Sequence, residues 1–246
     1  MALSWVDRGP VHLIAHRGAS AYAPANSVEA VQAAARVGAT DVEVDVHTTA
    51  DGTFVVVHDS LAGDSSNQWI STLTIEEYAS GLARHGKHVT HLDDIMQTAS
   101  DCNLGLYLDI KQILPGTEKL LGEKIRAAGF HDTAVLASFR SDLATSLKHV
   151  TGLLTAVLFY DPDTDLNSLV RATGCDFVHP CFDAFKYPMH LFTSAWLARA
   201  RTTKAGVVTW NTTDQKTAAD VLQLGVDGIC ADDPAILTSA LKSISA

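Results

Sequence analysis

Eight short, apolar, β-rich runs recur along the chain, separated by stretches with helical patterning. They are VHLIAH (11–16), ATDVEVDV (39–46), LGLYLDIK (104–111), TAVLAS (133–138), LLTAVLF (153–159), CDFVHP (175–180), AGVVTW (205–210) and VDGICA (226–231). Segments such as SVEAVQAAARVG, GTEKLLGEKIRAAG, SDLATSLKHV, SAWLARAR, DQKTAADVLQLG and PAILTSALKSI lie between or after them, several ending in the glycine that commonly closes a helix. A strand followed by a crossover helix, repeated eight times, closes into an α/β (β/α)8 TIM barrel. One such domain can absorb all 246 residues, so residues 1–246 are expected to form a single domain. The competing architecture is an open doubly wound sheet. It calls for G-x-G-x-x-G after its first strand, and this sequence has none there. With 47% hydrophobic and 19% charged residues, the chain can fill a large core. About residues 53–90 break the rhythm with an extra short strand, TFVVVH, and a polar stretch. They are expected to be a small inserted cap after the second strand, over the barrel mouth.

In a parallel barrel the strand C-termini share one face, where active sites are built. His16 and Arg17 end the first run; Glu43 and Asp45, two apart on the second, project to the same side, with His47 continuing that parity. His58 and Asp59 close the extra strand, and Asp109 and Lys111 repeat the two-apart spacing. Carboxylates gathered on one face repel unless a cation neutralises them. Glu43, Asp45 and Asp109 therefore form a candidate site for one divalent cation, Mg²⁺ or Ca²⁺, which prefer such oxygen ligands. The plainer alternative is ion pairing of the acids with Arg17 or Lys111. His16 alone reads equally well as a satisfied strand-end histidine; a second histidine in a similar place, His58, points to acid–base chemistry.

A net charge of −10 argues against nucleic acid as a partner and offers no general attraction to an anionic membrane. Cys102, Cys175, Cys181 and Cys230 form no C-x-x-C pair and suit free thiols in a reducing compartment. The N-terminal residues lack the basic and long apolar regions of a signal sequence, and no run reaches the roughly 18 apolar residues of a transmembrane segment. The expected setting is cytoplasmic.

The motifs AHRGASAYAPANS, GATDVEVDVHTTADGTFVVVHD, LYLDIK, and VVTW followed by LGVDGICADDP resemble the glycerophosphodiester phosphodiesterase family, in the family's order, from about residue 12 to about residue 234. The resemblance implies a barrel with a small cap, a divalent metal, and hydrolysis of a phosphodiester to a phosphomonoester and an alcohol. It implies His16 and His58 as the catalytic pair, Glu43, Asp45 and Asp109 as metal ligands, and Arg17 and Lys111 on the phosphate. Asn26 and Trp210 are expected to contact substrate. The chain departs from the family in three places. Ala25 stands where the family reads Glu, Asp109 where it reads Glu, and Asn211-Thr212-Thr213 where it reads T-V-N.

Asn26, with Glu29 three residues on, also fits a helix N-cap. His85, His88 and His91 are evenly spaced but read as a solvated face. The loop HPCFDAFKYPMHLF (179–192) carries Phe182, Phe185, Tyr187 and Met189. It reads either as rim packing or as an apolar wall, with Phe185 contacting the alcohol half of the substrate. The substrate is thus expected to be a small glycerophosphodiester or, on the second reading, a lysophospholipid cleaved by a lysophospholipase D-like reaction. A non-catalytic phosphoester-binding barrel is the remaining alternative.

Overall fold

The computed structural model describes residues 11–64, 67–182, 185 and 190–244. The eight expected runs become eight parallel strands: β1 (His12–Ala15), β2 (Asp41–Thr48), β4 (Gly105–Gln112), β5 (Ala134–Ser138), β6 (Leu154–Phe159), β7 (Phe177–Pro180), β8 (Gly206–Thr209) and β9 (Gly228–Ala231). They pair in the order β1-β9-β8-β7-β6-β5-β4-β2, and β1 pairs β2 at Ile14 with Asp41, so the barrel closes. The extra strand, β3 (Phe54–Val56), lies antiparallel on the C-terminal part of β2.

Strand alternation divides the core in two. On β2 the valines 42, 44 and 46 join the layer between barrel and helices. The alternate residues Glu43 and Asp45 are buried with the opposite parity. Tyr107, Val135, Ala156, Phe177, Val208 and Cys230 form the apolar filling inside the barrel. The outer layer is helical: α1 (Val28–Arg36), α3 (Leu92–Asp101), α4 (Glu118–Ala127), α5 (Ser141–Thr151), α6 (Leu166–Thr173), α7 (Ser194–Arg201), α8 (Gln215–Gln223) and α9 (Pro234–Ile244). Helices α5 and α6 end on Gly152 and Gly174, both left-handed at φ 65°, the glycine stop visible in the sequence.

The insertion after β2 is more ordered than a polar stretch suggests. Beyond β3 it carries a short 3₁₀ turn (Ile70–Thr72) and helix α2 (Ile75–Ala83), started by a Thr74–Glu77 capping box. Val55, Ala62, Ile70, Leu73, Tyr78 and Leu82 give it an apolar cluster of its own. The N-terminal residues 1–10, read above for a signal sequence, and Tyr187 and Met189 of the aromatic loop lie outside the described residues. Among the described residues, no helix is long and apolar enough to cross a membrane.

Candidate active site

The turn after β1 is built around a close backbone approach. Gly18 has φ 78°, and a Cβ there would fall 2.5 Å from the Ala30 Cβ, so only glycine fits without displacing α1. Through this turn the Gly18 N–H donates to the Glu43 carbonyl (2.9 Å) and the Arg17 N–H to Glu43 Oε2 (2.7 Å). His16 Nδ1 lies 2.6 Å from Asp232 Oδ1, just past β9. Asp232 also accepts from Ser20 Oγ (2.9 Å) and Asn211 Nδ2 (3.0 Å). The hydrogen bond from His16 holds the Asp232 carboxyl well below the usual range, so it is a carboxylate at neutral pH. An ionised acid at Nδ1 fixes the ring and leaves Nε2, 3.9 Å from Glu43 Oε2, for exchange with a bound molecule.

Adjacent inward positions of β2 and β4 bring the acids together, Asp45 pairing in register with Asp109. Glu43, Asp45 and Asp109 are all buried, and one ligating oxygen from each lies within 4.8 Å of the others. Among the described residues they are the group that could hold a metal ion. Asp109 Oδ1 is buried with no hydrogen-bond partner, which fits a set of oxygen donors made for a hard cation. Burial, then the neighbouring Asp45 and Asp109, push Glu43 well above the usual carboxylate range. Burial also raises Asp109, against the pull of Lys111. Burial works the same way on Asp45, but Lys111, Asn26 and Arg17 outweigh it and its pKa falls. The Lys111 ammonium hydrogen-bonds Asp109 and lies 3.0 Å from Asp45 Oδ1. Arg17 Nε is 3.3 Å from Asp45 Oδ2.

His16, Arg17, Glu43, Asp109 and Lys111 line one cleft together with Trp210, while Asp45 is buried outside its lining. The Trp210 ring lies 5.0 Å from the His16 ring. The same cleft is lined by Tyr107 and His179, whose Oη and Nδ1 are 2.7 Å apart. Burial, helped by the nearby His16 and Lys111, depresses His179 to about 3, so its ring is neutral.

Not every expected residue reaches this cleft. His58 is an exposed residue at the end of β3, with Nδ1 2.8 Å from Asp59 Oδ1 and its carbonyl 3.4 Å from His47 Nε2. It stands outside the lining, as does His47, which is buried. Asn26 is absent from the lining and is committed to Asp45: its Nδ2 donates to Asp45 Oδ2 (2.7 Å) and its Oδ1 accepts from the Asp45 N–H (3.1 Å). Nor is it the helix cap, because Ser27 takes that place and accepts from the Ala30 N–H. Asn26 sits at φ 61°, a left-handed conformation asparagine tolerates, and that twist aims its amide inward at β2. Phe185 does not border the cleft; its ring packs edge-on against Phe182, which is wholly buried among Phe159, Phe192 and Trp196. The even histidine spacing gathers no ligand group: His85 Nε2 bonds the Asp64 carbonyl (2.9 Å) and His91 precedes α3.

Sequence reasoning missed Asp232, Tyr107 and His179. Asp232 stands in a motif that was read, one residue beyond β9, and its strand-end position was the available signal. Tyr107 shares the inward parity of Asp109, but neither it nor His179 differs in sequence from ordinary strand residues.

Three comparisons bear on this arrangement. The model of the family described as "Glycerophosphoryl diester phosphodiesterase family" matches residues 16–236. A glycerophosphodiester phosphodiesterase from Caldanaerobacter subterraneus subsp. tengcongensis is 24% identical over 249 residues, covering 94% of this chain and 97% of that one. The human glycerophosphodiester phosphodiesterase 1 is 26% identical over 167 residues, 63% of this chain and 50% of its own. Among solved structures, a phosphodiesterase of Oleispira antarctica in complex with the product sn-glycerol-3-phosphate superposes with a TM-score of 0.78 at 20% identity, covering 93% of this chain and 96% of that one. At that identity the likeness speaks for the barrel.

Proposed function

The chain belongs to the glycerophosphoryl diester phosphodiesterase family, and from that premise we propose that it hydrolyses a glycerophosphodiester to glycerol 3-phosphate and an alcohol. The observation that carries the reading is a cluster of three buried carboxylates, two of which, Glu43 and Asp109, line one cleft with His16, Arg17 and Lys111. Glu43, Asp45 and Asp109 would hold one divalent cation, Mg²⁺ or Ca²⁺, which when bound supplies Lewis-acid neutralisation of the phosphate oxygens. Arg17 and Lys111 bind the phosphate and offset the charge that grows on it as the bond to phosphorus breaks. His16, turned by Asp232, moves a proton at Nε2. His58, exposed at the rim, is suited to the proton on the side of the departing or entering oxygen that faces solvent. Water adds to phosphorus, the P–O bond to the alcohol breaks, and the alkoxide takes a proton.

Phe182 is buried and Phe185 lies outside the cleft, so neither of these loop aromatics extends it for a long acyl chain, which favours a small, polar diester. The test is turnover of glycerophosphocholine, glycerophosphoethanolamine and a lysophospholipid, with and without EDTA. Release of glycerol 3-phosphate that stops on chelation supports the reading. Full activity after exhaustive chelation, or cleavage of the lysophospholipid alone, would overturn it.

A further inference from the structure

One polar atom in the cleft has no role in the mechanism above. His179 Nε2 is buried and meets no hydrogen-bond partner, on a side chain only 3% exposed. A buried nitrogen left in this state carries a desolvation cost that a ligand oxygen would relieve. The Trp210 Nε1–H is likewise buried and unpartnered, and both residues line the cleft. Both groups are uncharged. They differ in this from Arg17 and Lys111, which suit the anionic phosphoryl group.

We propose that His179, held by Tyr107 and acting with Trp210, is the subsite for the hydroxyls of the glycerol moiety. The inference rests on the phosphodiesterase reading and names the part of the substrate that reading leaves unplaced. With Tyr107 Oη, 2.7 Å from Nδ1, acting as donor to that nitrogen, the ring proton falls on Nε2 and can be given to a ligand oxygen in a hydrogen bond. The pKa of about 3 keeps the ring neutral at working pH. Tyr107 is thus a positioning residue, and His179 contacts substrate. Leu158, Phe139 and Cys230 on the same walls suit the carbon chain between the hydroxyls and the phosphate.

The experiment compares glycerophosphocholine with ethylphosphocholine, which keeps the phosphodiester and choline but lacks both glycerol hydroxyls. The quantity read is the ratio of their kcat/KM values in wild type, Tyr107→Phe and His179→Phe. Wild type should prefer the glycerol compound, and each variant should reduce that preference by about tenfold, the scale of one neutral hydrogen bond left unmade. Equal loss on both diesters, or an unchanged ratio in a folded variant, overturns the proposal. Should His179→Phe not fold, Tyr107→Phe decides. If wild type cleaves neither diester, the phosphodiesterase reading has failed by itself. The subsite is then read by calorimetry with glycerol 3-phosphate against ethyl phosphate: a preference in wild type that Tyr107→Phe removes supports it, and its absence in wild type overturns it.

Discussion

Asn26 offers a sharp test of how the acidic cluster is held. Its side chain makes two hydrogen bonds to one residue, Nδ2 to Asp45 Oδ2 at 2.7 Å and Oδ1 from the Asp45 N–H at 3.1 Å, with both residues buried. Asn26→Gly removes both while keeping the backbone free to stay at φ 61°. A buried polar group left unsatisfied costs about 1–3 kcal/mol, so the pair is worth about 2–6 kcal/mol. Asn26→Ala loses the same bonds and adds about 1–2 kcal/mol for a Cβ in the left-handed region. The sign with pH follows from Asp45, whose folded pKa is lowered with Asn26 among the causes. Its contribution is present above the unfolded carboxylate pKa and is lost as pH falls through the folded one. Without Asn26 the folded pKa climbs, and that contribution shrinks at neutral pH. Urea denaturation of wild type, Asn26→Gly and Asn26→Ala at pH 7 reads the two energies, and repeating it at about pH 4, near the unfolded carboxylate pKa, reads the sign. If both variants lose less than about 1 kcal/mol and agree within about 0.5 kcal/mol, both the tie to Asp45 and the backbone term are refuted.

Three further outcomes are expected. Millimolar Mg²⁺ or Ca²⁺ should raise the melting temperature of wild type by several degrees and leave Asp109→Asn nearly unmoved, since an ion that binds only the folded state stabilises it; calorimetric titration gives the affinities directly. His16→Ala and His58→Ala should each lower kcat about 10²-fold or more while circular dichroism stays native; a near-normal kcat in either removes that residue from proton transfer. Because His179 is depressed to about 3 in the fold, the unfolded chain binds its proton first. Stability should therefore fall as pH drops below about 6.5, by about 2 kcal/mol at pH 5, a slope that His179→Phe should flatten in urea titrations.

The barrel was legible because its signal is collective. Each run from VHLIAH to VDGICA is short, but eight at regular intervals leave few closed topologies, and every one became a strand. The acids were legible for the same geometric reason: alternation on a strand is rigid, so residues 43, 45 and 109 needed only the correct register to meet. What could not be read depends on long-range contacts between loops. Asn26 looked like a cap because caps are local, whereas its partner, Asp45, lies nineteen residues on and is reached through a left-handed turn. Phe185 looked like a pocket wall, but an aromatic loop can fold back on itself, and Phe182 draws it onto the outer core. Helix α2 was hidden because its apolar face meets only the insertion's own small cluster.

The three site acids pose the problem this fold had to solve. Three carboxylates out of water, close enough to share an ion, destabilise the fold unless they are compensated. The sequence meets this with the same two-residue period that creates it. Lys111 lies two positions beyond Asp109 on β4 and so reaches both Asp109 and Asp45. Arg17 comes from the neighbouring strand end, where Gly18 lets its backbone close on Glu43 while its side chain turns to Asp45. The pKa directions record the result: Asp45, in contact with both cations, is depressed, while Glu43, which receives only a backbone N–H from that turn, is raised. A site arranged this way has one acid firmly ionised and one inclined to keep a proton. Proton and cation therefore compete for the Glu43 carboxylate, and cation affinity should rise with pH for that reason.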